Sequence, residues 1–159
     1  MGLIFARALL KYNIVSRDNL LLVEKSEARQ QELLKLDIGQ VTVLNDPKIA
    51  NNDIYIIAVK PQDFETVAAE LKPSLKKATC IISIMAGVKL KKLETLLENK
   101  NVARAMPNSP AEMGMGMTAF TTSNALPMEQ IHKIENLLAT TGRAVFFEDE
   151  DLIDASTAI

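Results

Sequence analysis

Cysteine and histidine are almost absent: the 159 residues hold one of each, Cys80 and His132. A lone cysteine cannot close a disulfide within the chain, and one of each cannot assemble a zinc site or a persuasive Ser-His-Asp triad. Scarce cysteine fits a reducing, cytoplasmic setting. Long apolar runs are missing as well. None approaches the roughly 20 residues that span a bilayer, and the first residues lack the layout of a secretory signal, so no membrane partner is expected. A positive surplus is also lacking. With 18 Lys and Arg scattered among 20 Asp and Glu, no basic stripe is available to neutralise a phosphate backbone, which argues against nucleic acid. What the chain does have is 48% hydrophobic residues, enough for one sizeable core.

Those residues alternate between two periods. GLIFARALLKYN sets Leu3, Ala6, Leu9 and Leu10 on one helix face, and LLLV, Leu20 to Val23, reads as a strand. SEARQQELLKL predicts a helix with Ser26 as N-cap and Gly39 as its stop, and VTVL, Val41 to Leu44, a second strand. IYIIAV, Ile54 to Val59, and CIISIM, Cys80 to Met85, are apolar on both faces, which predicts strands buried between two helical layers. Between them DFETVAAELKPSLKK predicts a helix broken near Pro73. Further on come an amphipathic helix (KLKKLETLLEN), a strand (NVARAM) and a strand at the sheet edge (GMTAFTT). PMEQIHKIENLLATTG predicts a helix with Pro127 in its first turn, His132 on its surface and Gly142 as its stop. AVFF is a last strand, and EDEDLIDASTAI begins another helix. Strand and helix alternating at this interval require parallel strands joined by right-handed crossovers. The expected fold class is α/β, a doubly wound, Rossmann-like, mostly parallel sheet.

A doubly wound nucleotide domain ordinarily opens with a strand and a glycine-rich turn, whereas MGLIFARALL already has the character of the helix that follows such a turn. Gly2 then stands where the last glycine of G-x-G-x-x-G would stand, and Glu24, 22 residues on, falls where a ribose-binding acid is expected. A helix-packing glycine and a solvated acid are the plain alternative. Ligands bind at the carboxyl ends of parallel strands, and three predicted ends carry unusual loops. Lys60-Pro61 follows the first, with a lysine able to bond a ribose hydroxyl or a carboxamide oxygen. Met85-Ala86-Gly87 ends the second, small enough for a flat ring to approach. Met106-Pro107-Asn108-Ser109-Pro110 ends the third, its prolines holding the Asn108 amide in place. A solvated lysine and an ordinary turn glycine are the alternatives, but three such ends in succession favour a cofactor cleft. Met113, Met115 and Met117 alternate as strand or loop packing would and need no cofactor to explain them.

AVKPQ, SIMAGV, RAMPNSPAEMGMGMT and EDLIDASTAI, in this order and spacing, resemble pyrroline-5-carboxylate reductase over nearly the whole chain. The MPN-S/T-P block is the most specific part; AVKP alone is shared with related NADP-binding families. The resemblance implies an NAD(P)H-dependent oxidoreductase of proline biosynthesis, reducing the C=N carbon of 1-pyrroline-5-carboxylate to give L-proline. It implies Asn45 at the adenosine ribose or its phosphate, Ala58, Val59, Lys60 and Pro61 along the central cofactor, Ala86 and Gly87 at the nicotinamide side, and Asn108 facing the cofactor region. Glu150 corresponds to an acid at the substrate site, the alternative being an exposed acid within EDED. No side chain is assigned as catalytic, and no metal is expected. Glu24 would accept from the free 2'-hydroxyl of NAD, whereas Lys25 and Ser26 could bind the 2'-phosphate of NADP; family habit favours NADP, with NAD the alternative. Residues 1–147 correspond to the dinucleotide-binding domain, and 148–159 begin the connection to a C-terminal helical domain through which members form homo-oligomers. The segment alone is therefore expected to be inactive. Two other readings stand beside this one: another NADP-dependent oxidoreductase of related fold, of the F420-dependent or β-hydroxyacid dehydrogenase type, and a non-catalytic nucleotide-binding module.

Overall fold

The computed structural model describes residues 1–77, 79–108, 111 and 114–155. Ser109, Pro110, Met113 and residues 156–159, all named above, lie outside them. Helix α1 (Gly2–Lys11) leads to β1 (Leu21–Val23), α2 (Glu27–Leu36) and β2 (Gln40–Thr42). Then follow β3 (Ile54–Ile57), α3 (Phe64–Leu71), β4 (Cys80–Ser83), α4 (Leu90–Leu97) and β5 (Val102–Pro107). The last elements are β6 (Gly116–Thr122), α5 (Met128–Leu138), β7 (Gly142–Phe146) and α6 (Asp151–Ala155). Among these, no helix is long and apolar enough to cross a membrane.

Strands β3 to β7 form one sheet in chain order, and β1 pairs with β2 in another. Every pairing is parallel except β5 with β6. Side-chain alternation on β4 and β5 builds a core on each face of the larger sheet. Cys80, Ile82, Ile84, Ala103 and Ala105 pack with Phe5 and Leu9 of α1 and Ile134, Leu137 and Leu138 of α5. Ile81, Met85 and Val102 pack with Phe64, Ala68 and Leu71 of α3 and Leu93 and Leu97 of α4. Helices on both faces of a mostly parallel sheet are the doubly wound arrangement that the alternating pattern requires.

Four local expectations need correction. IYIIAV is not doubly buried. Among the described residues β3 pairs only with β4, so it is an edge, and Ile54 is 46% exposed. GMTAFTT, conversely, is no edge: β6 lies between β5 and β7 and is buried at six of seven positions. Helix α2 begins on Ser26 as expected, its hydroxyl accepting from the Arg29 amide, but it is stopped by Asp37 in the left-handed conformation (φ 51°, ψ 43°) rather than by Gly39. Asp tolerates that region better than most residues because its short polar side chain bonds locally. Met115 and Met117 are exposed, so packing within this chain does not account for them. His132 is also exposed, beside Glu135 on α5.

Burial has a chemical consequence at Cys80. Desolvation pushes its thiol up to about 11, so the nucleophilic thiolate is scarce at neutral pH. Iodoacetamide is therefore expected to leave Cys80 unmodified in the native protein and to label it once denaturant unfolds the chain. Stoichiometric labelling of the native state, read by mass spectrometry, would contradict the buried β4.

Candidate cofactor cleft

In the parallel ladder, Ile57, Ser83 and Arg104 occupy one cross-strand row. Lys60 and Ala86 each follow that row by three residues and Asn108 by four, so the three loops leave the sheet on a common rim. The ends of β1 and β2 extend the rim, with the Glu24 amide bonded to the Thr42 carbonyl at 3.0 Å. Among the described residues no strand pairing joins the β1–β2 pair to the larger sheet, and the crevice between them lies at carboxyl ends of parallel strands, where open α/β sheets bind ligands.

Helix α1 points its amino end into this crevice, and Gly2 sets how closely. A Cβ built on Gly2 would lie 2.8 Å from Cβ of Ala58, directly after β3, a separation that real carbon pairs do not reach. Glycine therefore brings the first turn of α1, with its positive dipole end, against the rim, the kind of helix terminus that favours anions. Across the crevice the Lys25 ammonium, after β1, stands 3.5 Å from Asp63, after β3. Glu24 turns toward its own turn, its carboxylate accepting from the Ser26 amide at 2.9 Å, while Lys25 and Ser26 are exposed. Asn45 is exposed in the turn after β2.

Farther along, Ala58, Lys60, Pro61, Ala86 and Gly87 are exposed, with Val59 partly so. Gly87 has φ +70°, and a Cβ placed on it would meet no atom within 4 Å, so the backbone turn requires glycine rather than any lack of space. Asn108 is exposed too, but its side-chain oxygen accepts from the Met117 amide at 2.8 Å, closing the β5–β6 connection. Glu150 lies just before α6 and is not a free acid. One of its oxygens accepts from Arg104 Nη1 at 3.1 Å and from the Leu90 amide at 2.7 Å. Arg104, which the sequence patterns passed over, is fully buried and also paired with Asp154. Its signal was one cation inside the apolar run NVARAM and a cluster of acids some fifty residues later.

Parallel strand ends meeting on one rim, with a glycine-seated helix terminus at their head, are the arrangement of a dinucleotide-binding α/β domain. The family described as NADP oxidoreductase coenzyme F420-dependent has a model that matches residues 1–87, more than half of the chain, and the chain belongs to that family. It is also 33% identical over 162 residues to the pyrroline-5-carboxylate reductase of Aquifex aeolicus, a match covering 100% of this chain and 58% of that protein. Two solved structures share its fold. One is a pyrroline-5-carboxylate reductase from Coxiella burnetii, at TM-score 0.88 and 23% identity over 99% of this chain and 59% of that one. The other is the Plasmodium falciparum pyrroline carboxylate reductase with NADP bound, at 0.80 and 24% over 96% and 55%. The chain spans less than two thirds of the length of these relatives.

Two outcomes follow from this geometry. Gly2→Ala is expected to push α1 off the end of β3, lowering stability by about 1–3 kcal/mol and weakening nicotinamide-nucleotide binding about tenfold; calorimetry on the variant measures both. The Arg104 hydrogen bond holds the Asp154 carboxyl below its ordinary value of 3.8. Its stabilising contribution is complete above that value and lost as pH falls through the lower folded one. Asp154→Asn should therefore flatten the acid limb of the stability profile below about pH 4, read from urea midpoints against pH.

Proposed function

We propose that this chain is the cofactor-binding part of a pyrroline-5-carboxylate reductase. One observation carries the proposal: the β3, β4 and β5 ends share a rim with the glycine-seated terminus of α1. The whole-chain likeness to the Aquifex aeolicus reductase supports the substrate. The residues present suit a nicotinamide nucleotide, since the close Gly2–Ala58 approach carries the positive end of α1 to the rim where a pyrophosphate would bind. When bound, such a nucleotide supplies the hydride that turns the C=N carbon of 1-pyrroline-5-carboxylate into that of L-proline. The chain's own part is to bind and orient. Amides of α1 hold the pyrophosphate, Ala58 to Pro61 line the middle of the cleft, and Ala86, Gly87 and Asn108 border the nicotinamide end. Asn45 stands at the adenosine end.

Lys25 and Ser26 receive the 2'-phosphate of NADP. The inward turn of Glu24 supports this choice over NAD, because one carboxylate oxygen is already engaged by the Ser26 amide. Between β1 and β3, each with an unpaired edge among the described residues, a strand of the longer protein completes the sheet and leads through a glycine turn into α1. Residues 1–147 then form the nucleotide domain, and 148–159 lead to a helical domain through which the cytoplasmic enzyme assembles as a homo-oligomer. The family description favours, as a second reading, hydride exchange between NADP and a deazaflavin.

The full-length protein is expected to form proline from 1-pyrroline-5-carboxylate with kcat/KM higher for NADPH than for NADH. Lys25→Ala should reduce that preference about tenfold, close to 1.4 kcal/mol of phosphate contact. An NADH preference in the parent overturns the cofactor assignment, and deazaflavin turnover without proline formation overturns the substrate.

A further inference from the structure

Arg104 is a charge where the neighbouring strand positions are apolar. Val102, Ala103 and Ala105 surround it in β5, and its side chain is 1% exposed. In register beside it stand Ser83 of β4 and Thr121 of β6, both buried, so a short polar row crosses the middle of the sheet. Alternation puts Arg104 on the side of Val102, the face covered by α3 and α4. A cation kept there is unfavourable unless paired, and the best-attested use of such groups is to specify one geometry. The pairing explains which geometry. Glu150 takes Arg104 Nη1 and the Leu90 amide on the same oxygen, at 3.1 and 2.7 Å. Asp154 takes both terminal nitrogens of Arg104. Outside, Lys89 meets Asp151 at 3.0 Å and repeats the link between α4 and α6.

Leu90 opens α4 three residues after Gly87, and Arg104 stands two residues before Met106 at the end of β5. A single carboxylate thus joins the loop after β4 to the strand that carries the next loop. We infer that Glu150 is a positioning residue: by bridging the Arg104 guanidinium and the Leu90 amide it locks the Ala86–Gly87 loop against the end of β5, and it shapes the nicotinamide side of the cleft without touching substrate. The functional half of this inference rests on the cofactor reading above; the structural half does not.

The test uses the full-length protein with Glu150→Ala, Glu150→Gln, Arg104→Met and the Glu150→Ala/Arg104→Met double variant. Glu150 is partly exposed, and without it Arg104 keeps Asp154; circular dichroism checks that its variants retain the fold. Amide exchange is followed at Gly87 to Leu90 and at Met106 and Asn108, with the Kd of NADPH and the KM for the imine substrate measured alongside. Either single variant to Ala or Met should speed exchange in both loops and weaken NADPH about tenfold, the double no more than either, because coupled residues are not additive. Glu150→Gln, which keeps a neutral acceptor, should fall between, and substrate KM should stay within about twofold, a split that loss of a direct substrate contact would reverse. A raised substrate KM with both loops still protected overturns the inference, as does additivity in the double variant. Should Arg104→Met fail to fold, the Arg104→Met/Glu150→Leu/Asp154→Leu triple removes all three charges together and restores folding. That triple must show fast exchange and weak NADPH; parental behaviour overturns the inference. A parent that binds no nicotinamide nucleotide defeats the cofactor reading instead, while the exchange data still decide the clamp.

Discussion

The parallel register of β3, β4 and β5 is the constraint on which the rest depends. Parallel neighbours cannot be joined by a tight turn, so each connection becomes a helical crossover that covers a face of the sheet. Both faces are thereby buried, as β4 shows at all four positions, and apolar residues fill three of them, with Ser83 the polar exception. The same direction of travel puts the carboxyl ends of β3, β4 and β5 on one rim. Chemistry at the rim is then carried by loops whose residues are free of packing duties, and glycine, proline and amide side chains collect there.

Much of this was legible because it is local. The 3.6-residue period of α1, α4 and α5, the N-cap at Ser26 and the apolar runs of β4 and β5 are read from neighbours in sequence. What could not be read depends on partners far away. IYIIAV has the composition of an interior strand, and nothing within it says that among the described residues only β4 pairs with it. GMTAFTT looks like an edge strand because it mixes threonines with small residues, but it is buried between β5 and β7, and Thr118 and Thr121 are each 1% exposed. Glu150 is the sharpest case. Its letters suggest an exposed acid, whereas its bonds run to Arg104 and Leu90, 46 and 60 residues away.

The rim and the body of the domain use charge in opposite ways. Lys25 and Asp63 meet at 3.5 Å with side chains 78% and 39% exposed, the kind of pair that contributes at most about 1 kcal/mol. A contact so weak is readily exchanged, and on the proposed reading a doubly charged phosphate on the same lysine makes the stronger bond.

Arg104 admits no such exchange. Its guanidinium is sealed from water, its Nε lacks a partner among the described residues, and its terminal nitrogens depend on Glu150 and Asp154 for compensation. Removing one partner strands a charge, a penalty of several kcal/mol for a sealed site and less here because the carboxylates reach solvent. The weak pair thus lies on the exposed rim, and the strong network lies one layer beneath, where the start of α6 meets β5. On the proposed reading that division is what a preorganised cleft requires: low resistance to the incoming phosphate, and high resistance to any change in the spacing of the loops after β4 and β5.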